Sequence, residues 1–172
     1  QKLIRHALAN PIAPVEVTDA PCQEVVIPHE DVDPFAVLPM VRHTEQDGGR
    51  FFGSGVHYIS GDWAGGGNRL SFYRMSFRGR DFASINMTPG GHGDQAADRG
   101  HDLRIPVTIN ISPPPMVEYV GLGFLNAAIF PESSNEIGMA GALQGSPVKI
   151  VRAKTVDAWA VANAEYVIEG YI

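Results

Sequence analysis

Asn68-Arg69-Leu70-Ser71-Phe72-Tyr73-Arg74-Met75-Ser76-Phe77, then Arg78-Gly79-Arg80-Asp81, then Phe82-Ala83-Ser84-Ile85-Asn86-Met87-Thr88 reads as strand, turn and strand. Side chains alternate along a strand, so the face that carries Leu70 and Phe72 also carries Arg74. A cation in line with apolar residues is either a paired or snorkelling arginine or part of a binding pocket. The turn sets Phe72 to Arg74 roughly opposite Ile85 to Met87, so that the two strands wall one polar site. Beyond Thr88, Pro89-Gly90-Gly91-His92-Gly93-Asp94 is a glycine-rich turn where backbone can approach a ligand closely. A short helix is expected from an Asp94 cap to near Gly100. Backbone donors at a helix start, with Arg74 nearby, suit a phosphate.

Outward from this hairpin, strands are expected at Gly55 to Ser60, Leu103 to Ser112, Val148 to Ala153 and Tyr166 to Ile172, most of them rich in β-branched or aromatic residues. Val117, Val120, Phe124 and Ala128 recur at helical spacing within 115–129, although Gly121 and Gly123 weaken that helix. A second short helix runs from about Glu136 to Leu143, with Ser133, Ser134 and Asn135 as candidate caps and Gly145 as its stop. Residues 1–40 are punctuated by Pro11, Pro14, Pro21, Pro28, Pro34 and Pro39, with a strand only at Glu24 to Ile27. This segment reads as a connecting arm that wraps a domain of residues 41–172. Many short strands with few short helices predict a mainly β or α+β fold, a barrel among the candidates.

Composition bounds the function. The 172 residues, 44% hydrophobic, suffice for one well-buried core. A net charge of -6 favours neither nucleic acid nor an acidic surface as a partner. The longest apolar runs are too short to cross a bilayer. The single cysteine, Cys22, excludes an internal disulfide and a thiolate zinc cluster, and fits an inert thiol in a reducing cytoplasm. Gly121-Leu122-Gly123 lacks the third glycine of a dinucleotide fingerprint, and no P-loop, His-Glu-x-x-His or Gly-x-Ser-x-Gly motif occurs.

Several blocks together resemble a known family. Asn68 to Arg74, Thr88-Pro-Gly-Gly-His92-Gly, Asn135-Glu136-Ile-Gly-Met-Ala-Gly-Ala-Leu-Gln-Gly-Ser-Pro-Val-Lys-Ile-Val-Arg152 and Ala164-Glu-Tyr-Val-Ile-Glu-Gly-Tyr-Ile172 are similar to the UbiD family of prenylated-flavin-dependent decarboxylases. Ile4-Arg5-His6-Ala7-Leu8-Ala9-Asn10-Pro11 and Glu45-Gln46-Asp47-Gly48-Gly49-Arg50-Phe51 extend the likeness over nearly the whole chain. The resemblance implies a split β-barrel of the flavin-reductase type that binds prenylated FMN (prFMN). It implies reversible decarboxylation of an aromatic or α,β-unsaturated carboxylic acid, with Arg74 engaging the departing carboxylate. It implies flavin contacts at Phe72, Tyr73, Arg74, Asn86, Met87, Thr88, Gly91, His92 and Glu136. Asn68, His92 and Glu136 are the implied ligands of Mn²⁺ or Mg²⁺ against the cofactor phosphate, with K⁺ as a further candidate ion. Also implied are a flavin prenyltransferase as cofactor supplier and assembly into a homo-oligomer.

Two departures qualify this picture. The family's asparagine usually lies five residues before the arginine, where this chain has Arg69; Asn68 is one residue further away. One residue of slip swaps the strand face, so Asn68 is a ligand only if a bulge or the Gly65-Gly66-Gly67 run resets the register. Otherwise Arg69 contacts phosphate directly and the metal site is altered or absent. The family's downstream proton-donating glutamate, its glutamate partner and a cofactor lysine have no counterpart within residues 1–172. The expectation is a cofactor-binding domain of a longer enzyme, whether excised, proteolysed or a natural short subunit. The alternatives are a flavin-binding module or an assembly domain without carbon chemistry of its own.

Overall fold

A computed structural model of the chain describes residues 2–61, 67–87, 89–90, 94, 98, 104–123 and 135–172. The elements in chain order are α1 (Lys2–Ala9), β1 (Val15–Glu16), a 3-10 turn (Pro21–Gln23), α2 (Pro34–Val37), β2 (Phe52–Ser60) and β3 (Asn68–Phe77). They continue with β4 (Ala83–Ile85), β5 (Pro106–Ile111), α3 (Pro115–Leu122), α4 (Glu136–Gln144), β6 (Lys149–Arg152), β7 (Trp159–Val161) and β8 (Tyr166–Tyr171). A five-stranded antiparallel sheet in the order β4-β3-β2-β5-β8 forms a curled half-barrel, and β1-β6-β7 forms a second, three-stranded sheet.

The larger sheet is covered on both faces. Val56, Tyr58 and Leu70 point toward the helices, into a core with Val117, Val120, Ile137, Met139 and Ala140. The opposite face carries Phe52, Met75, Ile109 and Ile111, packed with Phe77, Tyr166 and Ile168. That double burial explains why β2 is buried without alternation from Gly55 to Ile59, His57 included. Asn110, fully buried in β5, ties the two sheets together. Its amide nitrogen donates to the Val56 carbonyl at 3.1 Å, and its oxygen accepts the Val161 N–H at 2.8 Å. Thr108 adds a 2.6 Å hydroxyl bond to the Trp159 carbonyl.

The hairpin is present and its strand Asn68–Phe77 has the expected ends, but its register differs. Met75 pairs with Ile85 and the Asn86 N–H donates to the Arg74 carbonyl at 3.1 Å, so Arg74 stands opposite Asn86, one position from the expected pairing. Helix α4 begins at Glu136 with Asn135 as its cap, and Gly145 ends it in the left-handed conformation, φ 77°. Asp94, expected as a cap, is itself helical and accepts the Gly90 N–H at 2.7 Å. Residues 124–129 of the expected longer helix fall outside the described residues.

Glu24 to Ile27 is not a strand. Val25 is 77% exposed, and Pro28 removes a ladder donor directly after the segment. The strand of the N-terminal region is instead β1, which pairs in parallel with β6. Helix α1 and the turn after it press on α4: the Ile12 N–H donates to the Gly138 carbonyl at 2.9 Å. A Cβ on Gly141 would come within 2.9 Å of the Ile12 carbonyl oxygen, so glycine is required for this approach.

His57, on β2, is fully buried, with Nδ1 3.1 Å from the Gly55 carbonyl and its ring edge-on to Tyr73. Burial lowers its pKa from 6.5 to about 4, against the backbone groups of Gly55 and Ser71 that favour the cation. The folded state therefore resists a proton that the unfolded chain accepts. The associated stability, about 3 kcal/mol, is complete above pH 6.5 and is lost as pH falls toward about 4. Urea melts of wild type and His57→Gln should diverge in slope across that window, with the wild type losing more stability on acidification; parallel profiles would contradict this.

Candidate functional site

The site is built on the outer edge of β3. Among the described residues, strand β4 covers that edge at Met75 to Phe77 and, through Asn86, at Arg74. Further back, the start of α4 takes over. Asn68 forms an isolated parallel bridge with Asn135, and the Leu70 N–H donates to Glu136 Oε2 at 2.5 Å. Between these anchors Phe72 presents its backbone to the same edge, and no described residue occupies it. The result is a strip from Glu136 to Asn86 in which, among the described residues, the Phe72 ladder position is uncovered.

Glu136 is 1% exposed and Arg69 is 5% exposed, and Arg69 Nη1 lies 3.4 Å from Glu136 Oε1. Burial pushes the Glu136 carboxyl up to about 7, while the Leu70 N–H and the Arg69 guanidinium favour its ionised form. Asn68 is differently engaged. Its Oδ1 accepts from the Tyr58 hydroxyl at 3.0 Å, a phenol whose pKa burial raises, so that it remains a donor. Its amide nitrogen is 3.4 Å from Asn135 Oδ1, which also caps α4 by accepting the Gly138 N–H at 3.0 Å.

Phe72, half-buried against the helix-side core, and the exposed Arg74 share a strand face, as alternation requires. Tyr73 lies on the other face against His57. Asn86 is exposed and Met87 half-buried just beyond β4. Phe72, Arg74 and Asn86 thus come together at one end of the strip, with Glu136 and Asn68 at the other. Thr88, Gly91 and His92 lie outside the described residues. A separate cleft of about 340 Å³, lined by Phe35, Phe51, Phe77 and Arg78 among others, sits at the hairpin's turn, away from Glu136.

The expected metal site can be tested against these contacts. Among the described residues no group of three or more His, Cys, Asp or Glu side chains is placed to hold an ion. The Glu136 carboxylate already faces a guanidinium, and the Asn68 oxygen already accepts a hydrogen bond. A divalent ion shared by the two would stand beside the Arg69 guanidinium, 3.4 Å from the Glu136 carboxylate, so the described donor set fits a guanidinium better than an ion. Flavin is a different matter, because among the described residues the Phe72 backbone is uncovered and Arg74 is exposed, an edge that would suit a planar ligand. Sequence reasoning named Glu136, but not the Leu70 N–H, Tyr58 or the pairing of Arg69 with Glu136. Asn135 was legible only as a helix cap.

Three comparisons bear on this geometry. The UbiD family model, described as 3-octaprenyl-4-hydroxybenzoate carboxy-lyase Rift-related domain, matches residues 14–172. Gallate decarboxylase of Lactiplantibacillus plantarum is 32% identical over 98% of this chain and 35% of its own length. Pyrrole-2-carboxylic acid decarboxylase of Pseudomonas aeruginosa is 33% identical over 99% of this chain and 34% of its own. Among solved structures, an evolved dimeric form of the UbiD-class enzyme HmfF from Pelotomaculum thermopropionicum, in complex with prFMN, superposes with a TM-score of 0.89. It is 25% identical over 99% of this chain and 39% of that one. Apo 3,4-dihydroxybenzoic acid decarboxylase from Klebsiella pneumoniae gives a TM-score of 0.84 at 33% identity over 98% of this chain and 36% of that one. The chain spans about a third of the length of the curated relatives it matches.

Removing one member of the buried pair should be costly. Glu136→Ala takes away both the carboxylate facing Arg69 and the acceptor of the Leu70 N–H, and should cost about 3–5 kcal/mol in urea denaturation. The double variant Arg69→Met, Glu136→Leu should recover a large part of that loss. A double-variant loss equal to the sum of the Arg69→Met and Glu136→Leu single-variant losses would show that the two side chains are not coupled.

Proposed function

The chain belongs to the UbiD family, and on that premise we propose that it forms the flavin-binding part of a prFMN-dependent, reversible decarboxylase of an aromatic or α,β-unsaturated carboxylic acid. The observation that carries the reading is the strip along β3, which sets the apolar Phe72 beside the exposed cation Arg74 and the buried carboxylate Glu136 at its far end. From Leu70 to Arg74 this edge runs about 13 Å, which accommodates a fused aromatic ring system laid along the strand. The decarboxylase names of the relatives and the prFMN complex of HmfF support the same chemistry.

Expelling CO₂ directly from an sp² carbon leaves an unstabilised carbanion. Bound prFMN supplies the electron sink that accepts this pair. The residues of the chain then have separable tasks. Phe72 offers an apolar surface for the ring system, with the neighbouring ladder position available to its polar edge. Arg74 holds the substrate carboxylate through its planar fork and favours the geometry in which the C–C bond to CO₂ breaks. The hydrogen bond from Asn86 to the Arg74 carbonyl fixes the backbone from which that fork extends. Asn86, Met87, Thr88, Gly91 and His92, together with Tyr73, are the further cofactor contacts that family membership implies.

The fuller proposal includes a flavin prenyltransferase as cofactor supplier, a homo-oligomeric enzyme and a cytoplasmic location. Among the described residues no helix is long and apolar enough to cross a membrane.

Arg74→Ala should lower decarboxylation by at least about 10²-fold while flavin uptake, read by absorbance, stays near the wild-type level. Turnover within a few-fold of wild type would remove Arg74 from the chemistry. A protein that binds flavin but exchanges no CO₂ with any aromatic acid would be a binding module instead.

A further inference from the structure

Arg69 points away from the face that carries Leu70, Phe72 and Arg74, yet it is buried, and its guanidinium stands 3.4 Å from the Glu136 carboxylate. That carboxylate is held from its other oxygen by the Leu70 N–H, so the pair is clamped to the β3 backbone. One buried guanidinium and one buried carboxylate balance in charge. A divalent ion added at Glu136 would have to share that carboxylate with a neighbouring cation that cannot be deprotonated. The asparagine that could serve as a second ligand is tied on the opposite face to Tyr58 and Asn135. A guanidinium in this place recognises an oxyanion directly through charge-assisted hydrogen bonds.

We propose that Arg69 is a built-in cation standing where a divalent ion would otherwise be held, so that this protein binds the phosphate of its cofactor without a metal. Glu136 is then a positioning residue that fixes the guanidinium, not a ligand. The identity of the anion as a flavin phosphate rests on the function proposed above, whereas the exclusion of the metal stands on the buried pair alone.

The test is to purify the protein after coexpression with a flavin prenyltransferase, without oxygen, and to measure metal by plasma mass spectrometry and flavin by absorbance before and after dialysis against EDTA. Wild type should carry less than about 0.1 equivalent of divalent metal and keep its flavin through EDTA. Arg69→Lys, which keeps the charge, should also stay metal-independent. Arg69→Asn places an amide oxygen beside Glu136 and should take up Mn²⁺ on titration, with flavin retention becoming EDTA-sensitive. About one equivalent of Mn²⁺ in wild type, with flavin lost on chelation, would overturn the proposal. If no preparation holds flavin, the functional reading fails, and Mn²⁺ dialysis of wild type still decides. Binding that disappears in Glu136→Gln overturns the built-in cation, and no binding upholds it. If Arg69→Asn does not fold, the wild-type and Arg69→Lys measurements decide alone.

Discussion

The site depends on how the outer edge of β3 is satisfied. A strand edge presents N–H and C=O groups that must find partners when buried, and β4 is too short to supply them all. The Glu136 carboxylate fills the deficit by accepting the Leu70 N–H at 2.5 Å, which docks the first turn of α4 against the strand. Once Glu136 is fixed there, Arg69 has a buried counter-charge and Asn135 is brought to Asn68. One hydrogen bond to a strand edge therefore joins the helix, the ion pair and the open ladder position in a single constraint.

The rest of the fold holds that edge at a defined place. The sheet is packed on both faces, and each fully buried Val, Leu or Ile contributes about 1.5–3 kcal/mol, so its position is over-determined by many contacts. Asn110 locks the second sheet to the first through bonds to Val56 and Val161. The hydrogen bond from the Ile12 N–H to the Gly138 carbonyl ties α4 to the segment that follows α1. The proposed site lies where apolar packing ends, because an exposed arginine such as Arg74 is tolerable only at the margin of a core.

Electrostatics separates the two ends of the strip. At Arg74 the cation is exposed. At Arg69 the cation is buried and held by its neighbour Glu136. Two arginines five positions apart on one strand, on opposite faces, thus meet different dielectric environments, which is what allows the different tasks proposed for them.

Local pattern was enough to establish the strand Asn68–Phe77, its alternation, the turn at Arg78 to Asp81, and the capped start and glycine stop of α4, since each depends on residues close in the chain. The resemblance of several ordered blocks further established the family. What the sequence by itself left open was whether Asn68 or Arg69 belongs with Glu136, because 67 residues separate Arg69 from Glu136 and no periodicity spans that gap. Nor did it disclose that Val25 to Ile27 finds no strand partner while Val15 and Glu16 do, because pairing depends on which edge is near. Only the tertiary structure decided these points, for a hydrogen bond from a strand edge to a helix start is set by the packing that brings the two together.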